Sequence, residues 1–239
     1  MRIDARSPGQ LRPVTMIPHF TRTSGGSVLI NWGGTRVLCT ALLEEGTAPF
    51  LRDTGRGWLT AEYAMLPSST SSRKKREGLK PDGRSTEIKR LIGRSLRAAM
   101  DFEKLGEHSI WIDCDVLEAD GGTRTASITG AWVALRLGVD RWLQQGLIAS
   151  DPIIHQIAAV SVGIVEDEAR LDLCYQEDSS AQVDMNLVMN EAGAFIEVQG
   201  TGEGRAFSRA EMDAMLAMGE AGIRSLFDLQ RQAVEEARS

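Results

Sequence analysis

The order of apolar patterns along this chain predicts an α+β fold laid down twice, strands followed by a helix in each half. Alternating apolar runs bounded by glycine turns fill the first third and return after residue 157. Two long helix-periodic stretches close the halves, one after the glycine-rich segment 121–127 and one at the C-terminus. Strands and helices do not alternate one by one, as a parallel βαβ sheet requires. At 239 residues the chain is long enough to bury a sizeable core. The expectation is one domain, 1–239, with pseudo-duplicated halves of about 1–145 and 146–239.

Ser27 to Trp32 and Thr35 to Leu42 read as strands joined by Gly33-Gly34, a two-residue hairpin signal. Gly57 to Leu66 reads as a further strand. A polar loop, Pro67 to Gly83, is rich in serine, carries Arg73-Lys74-Lys75-Arg76 and Lys80, and is a candidate mobile segment. A helix is expected from about Thr86 to Glu103, capped by Ser85, with Glu87 in its first turn. Ile88, Leu91, Ile92, Leu96 and Ala99 form its apolar face. The strand Ile110 to Leu117 leads through Gly121-Gly122-Thr123-Arg124-Thr125-Ala126-Ser127 into a helix running to Leu143. In the second half, Ala158 to Val165, Leu171 to Tyr175, Val183 to Met189 and Ala194 to Val198 read as strands. The last helix opens on Ser208-Arg209-Ala210-Glu211, a capping-box pattern, with a stripe at Met212, Met215, Leu216, Gly219, Ile223 and Leu226.

Composition excludes several function classes. With 42% hydrophobic and 25% charged residues the chain is an ordinary globular protein. A net charge of −6 argues against nucleic-acid binding driven by overall charge, though a local basic track is compatible with it. Cys39, Cys114 and Cys174 lie far apart in strand-like segments, offering neither metal spacing nor an even disulfide set. No signal region opens the chain and no stretch approaches a membrane span, so the expected location is the cytoplasm. The three histidines, His19, His108 and His155, sit in no nucleophile or metal pattern.

Chemistry concentrates in two places. Segment 121–127 delivers a glycine pair, two hydroxyls and Arg124 to the first turn of a helix, where free N–H groups and the helix dipole suit an anion. It matches neither the Walker nor the dinucleotide template, and glycines at such a turn also serve backbone geometry alone. Arg84 stands at a second helix start, where it either closes on the same anion or remains a surface arginine. The acidic run Glu177 to Asn186 holds Asp178 at a strand end. It also holds Asp184 between Val183 and Met185, on the opposite face from both. Two such carboxylates near a phosphate fit Mg²⁺; spacing alone favours a turn acid and a solvated strand face.

Together these segments resemble the ribonuclease PH family of phosphate-dependent exoribonucleases over nearly the whole chain. The resemblance rests on Arg2 to Arg6 with Leu11-Arg12-Pro13-Val14, Gly26 to Leu29, Val37 to Ala41, Gly57 to Tyr63, Met65-Leu66-Pro67 and Gly83-Arg84. It continues through Asp113 to Leu117, Ala119 to Gly130, Val160 to Ile164, Glu177-Asp178, Asp184-Met185-Asn186 and Glu197 to Thr201. It implies a ribosomal-protein-S5-domain-2-like (ribonuclease PH) fold. It also implies a transfer RNA nucleotidyltransferase that trims 3′ ends of precursor transfer RNA, and of ribosomal RNA, reversibly releasing nucleoside diphosphates. Inorganic phosphate, the co-substrate, is implied to bind Arg84, Gly122, Thr123 and Arg124. Asp178 and Asp184 are implied as catalytic and metal-supporting acids for Mg²⁺, or Mn²⁺, and Arg73 and Arg76 as RNA contacts. The implied assembly is a hexameric ring, a trimer of dimers. Two departures fall in one loop: the family commonly has arginine where this chain has Ser68, and histidine in the serine run before Arg73. The alternative is a non-catalytic RNA-binding subunit of a ring-shaped exoribonuclease assembly, a class that typically lacks a complete phosphate site.

Overall fold

The computed structural model of the chain describes residues 2–76 and 82–238; Lys80 of the basic loop lies outside them. Val14–Pro18 (β1), Gly26–Trp32 (β2), Thr35–Glu45 (β3), Trp58–Met65 (β4) and His108–Glu118 (β5) form one sheet in the order β1-β2-β3-β5-β4. Its pairs are antiparallel except β4 with β5, which run parallel. Ile157–Val165 (β6), Glu168–Leu171 (β7), Val183–Asn190 (β8) and Phe195–Gly202 (β9) form an antiparallel sheet in the order β7-β6-β8-β9. The hairpin at Gly33-Gly34 pairs Trp32 with Thr35 as expected, with Gly33 at φ +57°.

Helix α3, Thr123–Gln144, lies against β2 and β3 of the first sheet and β6 of the second. It is buried without interruption from Thr125 to Leu135, as a helix with apolar residues on all sides must be. Helix α5, Arg209–Arg238, packs on β1, β6, β7 and α3. Its capping box forms: Ser208 N–H donates to Glu211 Oε2 at 2.6 Å and Glu211 N–H to Ser208 Oγ at 3.2 Å. With α3 and α5 both packed on it, β6 is buried at all nine positions. The main apolar core runs from Met16 to Val234, and Val165, Leu173 and Ala181 form a small separate cluster. Among the described residues no helix is long and apolar enough to cross a membrane.

Three expectations change. The helix expected over 86–103 is two: α1, Gly83–Arg97, and a short α2, Phe102–Leu105. Its cap is Asp82, whose Oδ1 accepts the Ser85 N–H at 2.6 Å, while Ser85 itself is buried inside the helix. The strand expected over 171–175 ends at Leu171. The chain turns at Asp172 (φ +54°) into a single helical turn, α4, Tyr175–Asp178, so Asp178 closes a helix and Cys174 precedes one. Edge strand β1 carries no apolar alternation long enough to announce it, and prolines bracket it, which only a sheet edge tolerates.

Gly26 marks the closest approach of β2 to α3. A Cβ there would run into the backbone carbonyl of Ala134 and the backbone amide of Gly138, neither of which can swing aside. Gly26→Ala is therefore expected to cost about 3 kcal/mol, a fall of roughly 6–12 °C in thermal midpoint. A midpoint within a degree or two of wild type would mean that β2 and α3 are less tightly joined.

Candidate active site

The cradle begins where β5 ends. Gly121 and Gly122 both adopt positive φ, +74° and +65°, and Gly122 is the N-cap of α3. Gly121 has no substitute: a Cβ would lie 2.5 Å from Leu173 O and 2.8 Å from Tyr175 N. Thr35 Oγ1 donates to Gly121 O at 2.7 Å and accepts the Asp120 N–H at 2.9 Å, locking the turn from β3. The first-turn N–H groups of Thr123, Arg124 and Thr125 find no protein acceptor among the described residues, the normal state of a helix start and the reason it attracts anions.

The sequence-derived residues Arg84, Gly122, Thr123, Arg124, Asp178 and Asp184 all line one cavity of about 340 Å³, with Ser161, Asn186 and Glu203. Arg84 reaches it from the first turn of α1 and Arg124 from that of α3. Arg124 Nη1 donates to Gln199 Oε1 at 3.2 Å and lies 3.7 Å from Glu87 Oε2, so β9 and α1 aim its guanidinium. The Thr123 hydroxyl is hydrogen-bonded to the buried Tyr63 hydroxyl at 2.9 Å. Burial pushes the Tyr63 phenol up, against the pull of Arg84 and Arg124.

The two acids come from α4 and β8. Burial raises the Asp178 carboxyl above its ordinary value although Arg84 and Arg124 lower it. Asp184 is raised further, to about 6, by burial and by the charge of Asp178. Asn186 Nδ2 donates to Asp184 Oδ2 at 3.4 Å, but the buried Asp184 Oδ1 has no hydrogen-bond partner. An orphaned carboxylate oxygen beside a second carboxylate is a donor set that fits a hard divalent cation of the Mg²⁺ type. Among the described residues no group of three or more His, Cys, Asp or Glu is placed to hold a metal.

Sequence reasoning missed what fixes these walls. Asp172 is buried; its Oδ2 accepts Arg12 N–H at 2.7 Å, Arg12 Nε at 3.0 Å and Trp32 Nε1 at 2.9 Å, and its Oδ1 accepts Arg12 Nη2 at 2.6 Å. Arg12 Nη1 also donates to the carbonyl of Asp120, one residue before the cradle. Arg2 grips Glu177, the neighbour of Asp178, through Nε at 2.8 Å and Nη2 at 2.7 Å. The N-terminal arginines thus tie the cradle to the acid-bearing turn across the two halves. Only the run Arg2 to Arg12 hinted at this, and charge alone gave it no buried partner.

Arg73 and Arg76 are exposed and line neither this cavity nor the adjoining one. The loop before them is tied down, with Ala119 N–H donating to Ser69 O at 2.8 Å and Lys74 N–H to Pro67 O at 2.8 Å. A larger cavity of about 700 Å³ lies at the opposite end of β5, walled by Trp58, Trp111 and the acids Glu44, Glu45, Asp53 and Glu107 around Arg52. That excess of acids repels anions, whereas the smaller cavity brings two arginines, Arg84 and Arg124, to a helix N-terminus.

The pattern of the 3′ exoribonuclease family, domain 1, matches residues 10–138, and that of domain 2 matches residues 155–222. The chain is 56% identical to ribonuclease PH of Synechococcus sp. (strain JA-2-3B'a(2-13)), covering 99% of this chain and 98% of that one. It is 53% identical to ribonuclease PH of Corynebacterium efficiens, covering 98% and 96%. The crystal structure of rice (Oryza sativa) Rrp46 superposes with a TM-score of 0.81 at 20% identity, covering 98% of this chain and 100% of that one. The Archaeoglobus fulgidus exosome with RNA bound to the active site gives 0.79 at 22%, covering 95% and 91%. At such identities the two structures speak for the fold.

Two stability measurements follow from these charges. Asp184 has a carboxyl near 3.8 when unfolded and about 6 when folded, so its ionised form opposes folding at every pH above about 6. Asp184→Asn should stabilise the protein on the order of 2–3 kcal/mol at pH 8, with the gain fading as pH falls below about 6. An unchanged or lower midpoint at pH 8 would mean that this charge is already compensated. Asp172 has the opposite sign. Burial alone would raise it, but the hydrogen bonds and charge of Arg12, with the bond from Trp32, hold it below its ordinary value. Its stabilisation is present above the ordinary carboxylate range and is lost as pH falls through the lowered value. Asp172→Asn should cost about 3 kcal/mol at pH 7 in denaturant unfolding and less at pH 3; an equal cost at both would discount the ion pair.

Proposed function

The chain belongs to the 3′ exoribonuclease family of ribonuclease PH, and from that premise we propose that Arg84, Gly122, Thr123 and Arg124 hold the inorganic phosphate that attacks RNA. Asp178 and Asp184 are the acids of the same reaction. The activity is phosphorolytic: a phosphate oxygen attacks the last phosphodiester of an RNA 3′ end, a P–O bond to that oxygen forms, and the P–O3′ bond breaks. The terminal nucleotide leaves as a nucleoside diphosphate and the shortened RNA keeps its 3′-hydroxyl. Because one phosphate linkage replaces another, excess nucleoside diphosphate drives nucleotide addition.

The observation that carries the assignment is the meeting, in one cavity, of two arginines and a helix N-terminus with two carboxyls of raised pKa. Phosphate is already an anionic nucleophile and needs no histidine base; the obstacle is bringing two anions together. Arg84, Arg124 and the first turn of α3 neutralise the attacking phosphate and orient it. Thr123, braced by Tyr63, adds a hydroxyl to the same cradle. Burial raises both carboxyls above the ordinary value, so one of them, when protonated and not on a metal, suits the transfer of a proton to the departing O3′. Mg²⁺, or Mn²⁺ by the same donor preference, would sit on Asp178 and Asp184 and supply charge neutralisation at the phosphoryl oxygens.

The substrates on this reading are 3′ ends of precursor transfer RNA, and of ribosomal RNA, in the cytoplasm. The working form is a homohexameric ring, a trimer of dimers, that brings Arg73 and Arg76 of neighbouring subunits to the RNA backbone. Within each subunit the two halves act as one domain, since the cavity takes Arg124 from the first and Asp184 from the second.

The test is a product assay on a precursor transfer RNA with a 3′ extension and Mg²⁺, with and without inorganic phosphate. Nucleoside diphosphates released only with phosphate are expected, and Arg124→Ala should raise the KM for phosphate about 10–100-fold. Nucleoside monophosphates without phosphate would mean hydrolysis, and no release at all would restore the binding-subunit reading. An unchanged phosphate KM would remove Arg124 from the cradle.

A further inference from the structure

Helix α1 and strand β9 are joined by two polar pairs. Arg94 on α1 grips Glu197 on β9 through Nε at 2.9 Å and Nη2 at 2.8 Å. Two turns earlier on α1 stands Glu87, and two residues further along β9 stands Gln199. These meet as well, Gln199 Nε2 donating to Glu87 Oε1 at 3.4 Å. Seven residues along a helix and two along a strand keep side chains on one face, so the fork at Arg94 fixes where the second pair stands. Both members of that pair face Arg124. Its Nη1 donates to Gln199 Oε1 at 3.2 Å and lies 3.7 Å from Glu87 Oε2. The Gln199 amide is thus engaged from both sides, oxygen to the cation and nitrogen to the carboxylate. Glu87 also follows Arg84 by three residues, the spacing of neighbours on a helix surface. One carboxylate therefore serves both cradle arginines, although neither Glu87 nor Gln199 is among the residues that line the cavity.

Resting on the phosphate-cradle reading, we propose that Glu87 and Gln199 are positioning residues that set how weakly the cradle holds phosphate. Glu87 competes with the anion for Arg124, and Gln199 spaces the two. Two arginines and a helix N-terminus favour a small anion before any reaction begins. Tighter binding of the attacking phosphate lowers its KM without speeding the chemical step. It also holds back the nucleoside diphosphate, whose terminal phosphate leaves from the same place. A carboxylate beside Arg124 offsets part of that affinity, because it shares the guanidinium and repels the incoming charge. Arg124 and Glu87 keep 18% and 42% of their side-chain exposure, so the effect has the size of a partly screened pair. Gln199 keeps the balance moderate: it takes a guanidinium N–H without adding charge. The phosphate concentration at which trimming half-saturates is set by these two side chains, from outside the cavity.

Calorimetric titration of the full-length protein with inorganic phosphate reads this competition directly. Glu87→Gln keeps the shape and can still accept from Gln199, so it removes little but the charge. It should bind phosphate about 3–5-fold more tightly, with the phosphate KM of trimming falling in step. Damage to a site weakens binding, so a gain is an outcome that a merely structural role does not produce. Gln199→Glu sets a second carboxylate against Arg124 and should weaken phosphate by about the same factor. Adding Glu87→Gln to it should bring the affinity back toward wild type. Unchanged or weaker binding in Glu87→Gln would overturn the proposal, and so would a double variant no better than Gln199→Glu alone. Wild-type protein that neither binds phosphate nor needs it for trimming would instead overturn the cradle reading beneath it.

Discussion

Asp172 accepts hydrogen bonds from Arg12 N–H, Nε and Nη2 and from Trp32 Nε1, in a place where water barely reaches. A carboxylate so deeply buried is tolerable only when its lone pairs are used and a cation stands beside it. The geometry that satisfies it also builds the site. Arg12 is drawn across to Asp120 at the lip of the cradle, and β7 is turned at Asp172 toward α4. Arg2 then fixes Glu177 beside Asp178. The second sheet is brought against the first at the cavity that takes residues from both, and a segment of a dozen residues at the N-terminus does the tying.

With the walls fixed, α3 supplies the rest. It is buried against both sheets, so its N-terminus can point only where Gly121 and Gly122 let the chain enter it. That end gathers positive potential from its own amides and from two arginines, one of them aimed by Gln199 and Glu87. Across the cavity two carboxyls stand in partial burial, and burial together with the charge of Asp178 makes Asp184 costly to ionise. The site is thus polarised before any substrate arrives, with cations and dipole on one wall and reluctant anions on the other.

Much of this was legible in the residues. Alternation located seven of the nine strands of the described residues in outline; β7 was misplaced and β1 went unannounced. Segment 121–127 was legible as a glycine turn opening a helix, and Gly121 and Gly122 take positive φ there. Asp184 was legible because strand alternation separates it from Val183 and Met185. Less was legible where tertiary contacts override local pattern. Leu171 to Tyr175 alternates well enough for a strand, yet the pull on Asp172 bends it into a turn. Ser85 is a good cap by type, but Asp82 accepts the N–H instead and Ser85 goes inside. The buried roles of Arg2 and Arg12 were illegible, because their partners lie 175 and 160 residues away.

Asp184 and Asp172 make the division of labour physical. Both are aspartates from the second half, Asp172 buried and Asp184 half-buried, yet one is held below its ordinary pKa and the other pushed up to about 6. The difference is local: Asp172 has an arginine fork in contact, whereas Asp184 has Arg124 at longer range, another carboxylate and an unsatisfied oxygen. A fold that needed only stability would give Asp184 the same treatment. Asp184 is left with a buried oxygen that no protein donor meets, and the stability lost there is offset by the pairs around Asp172 and Glu177.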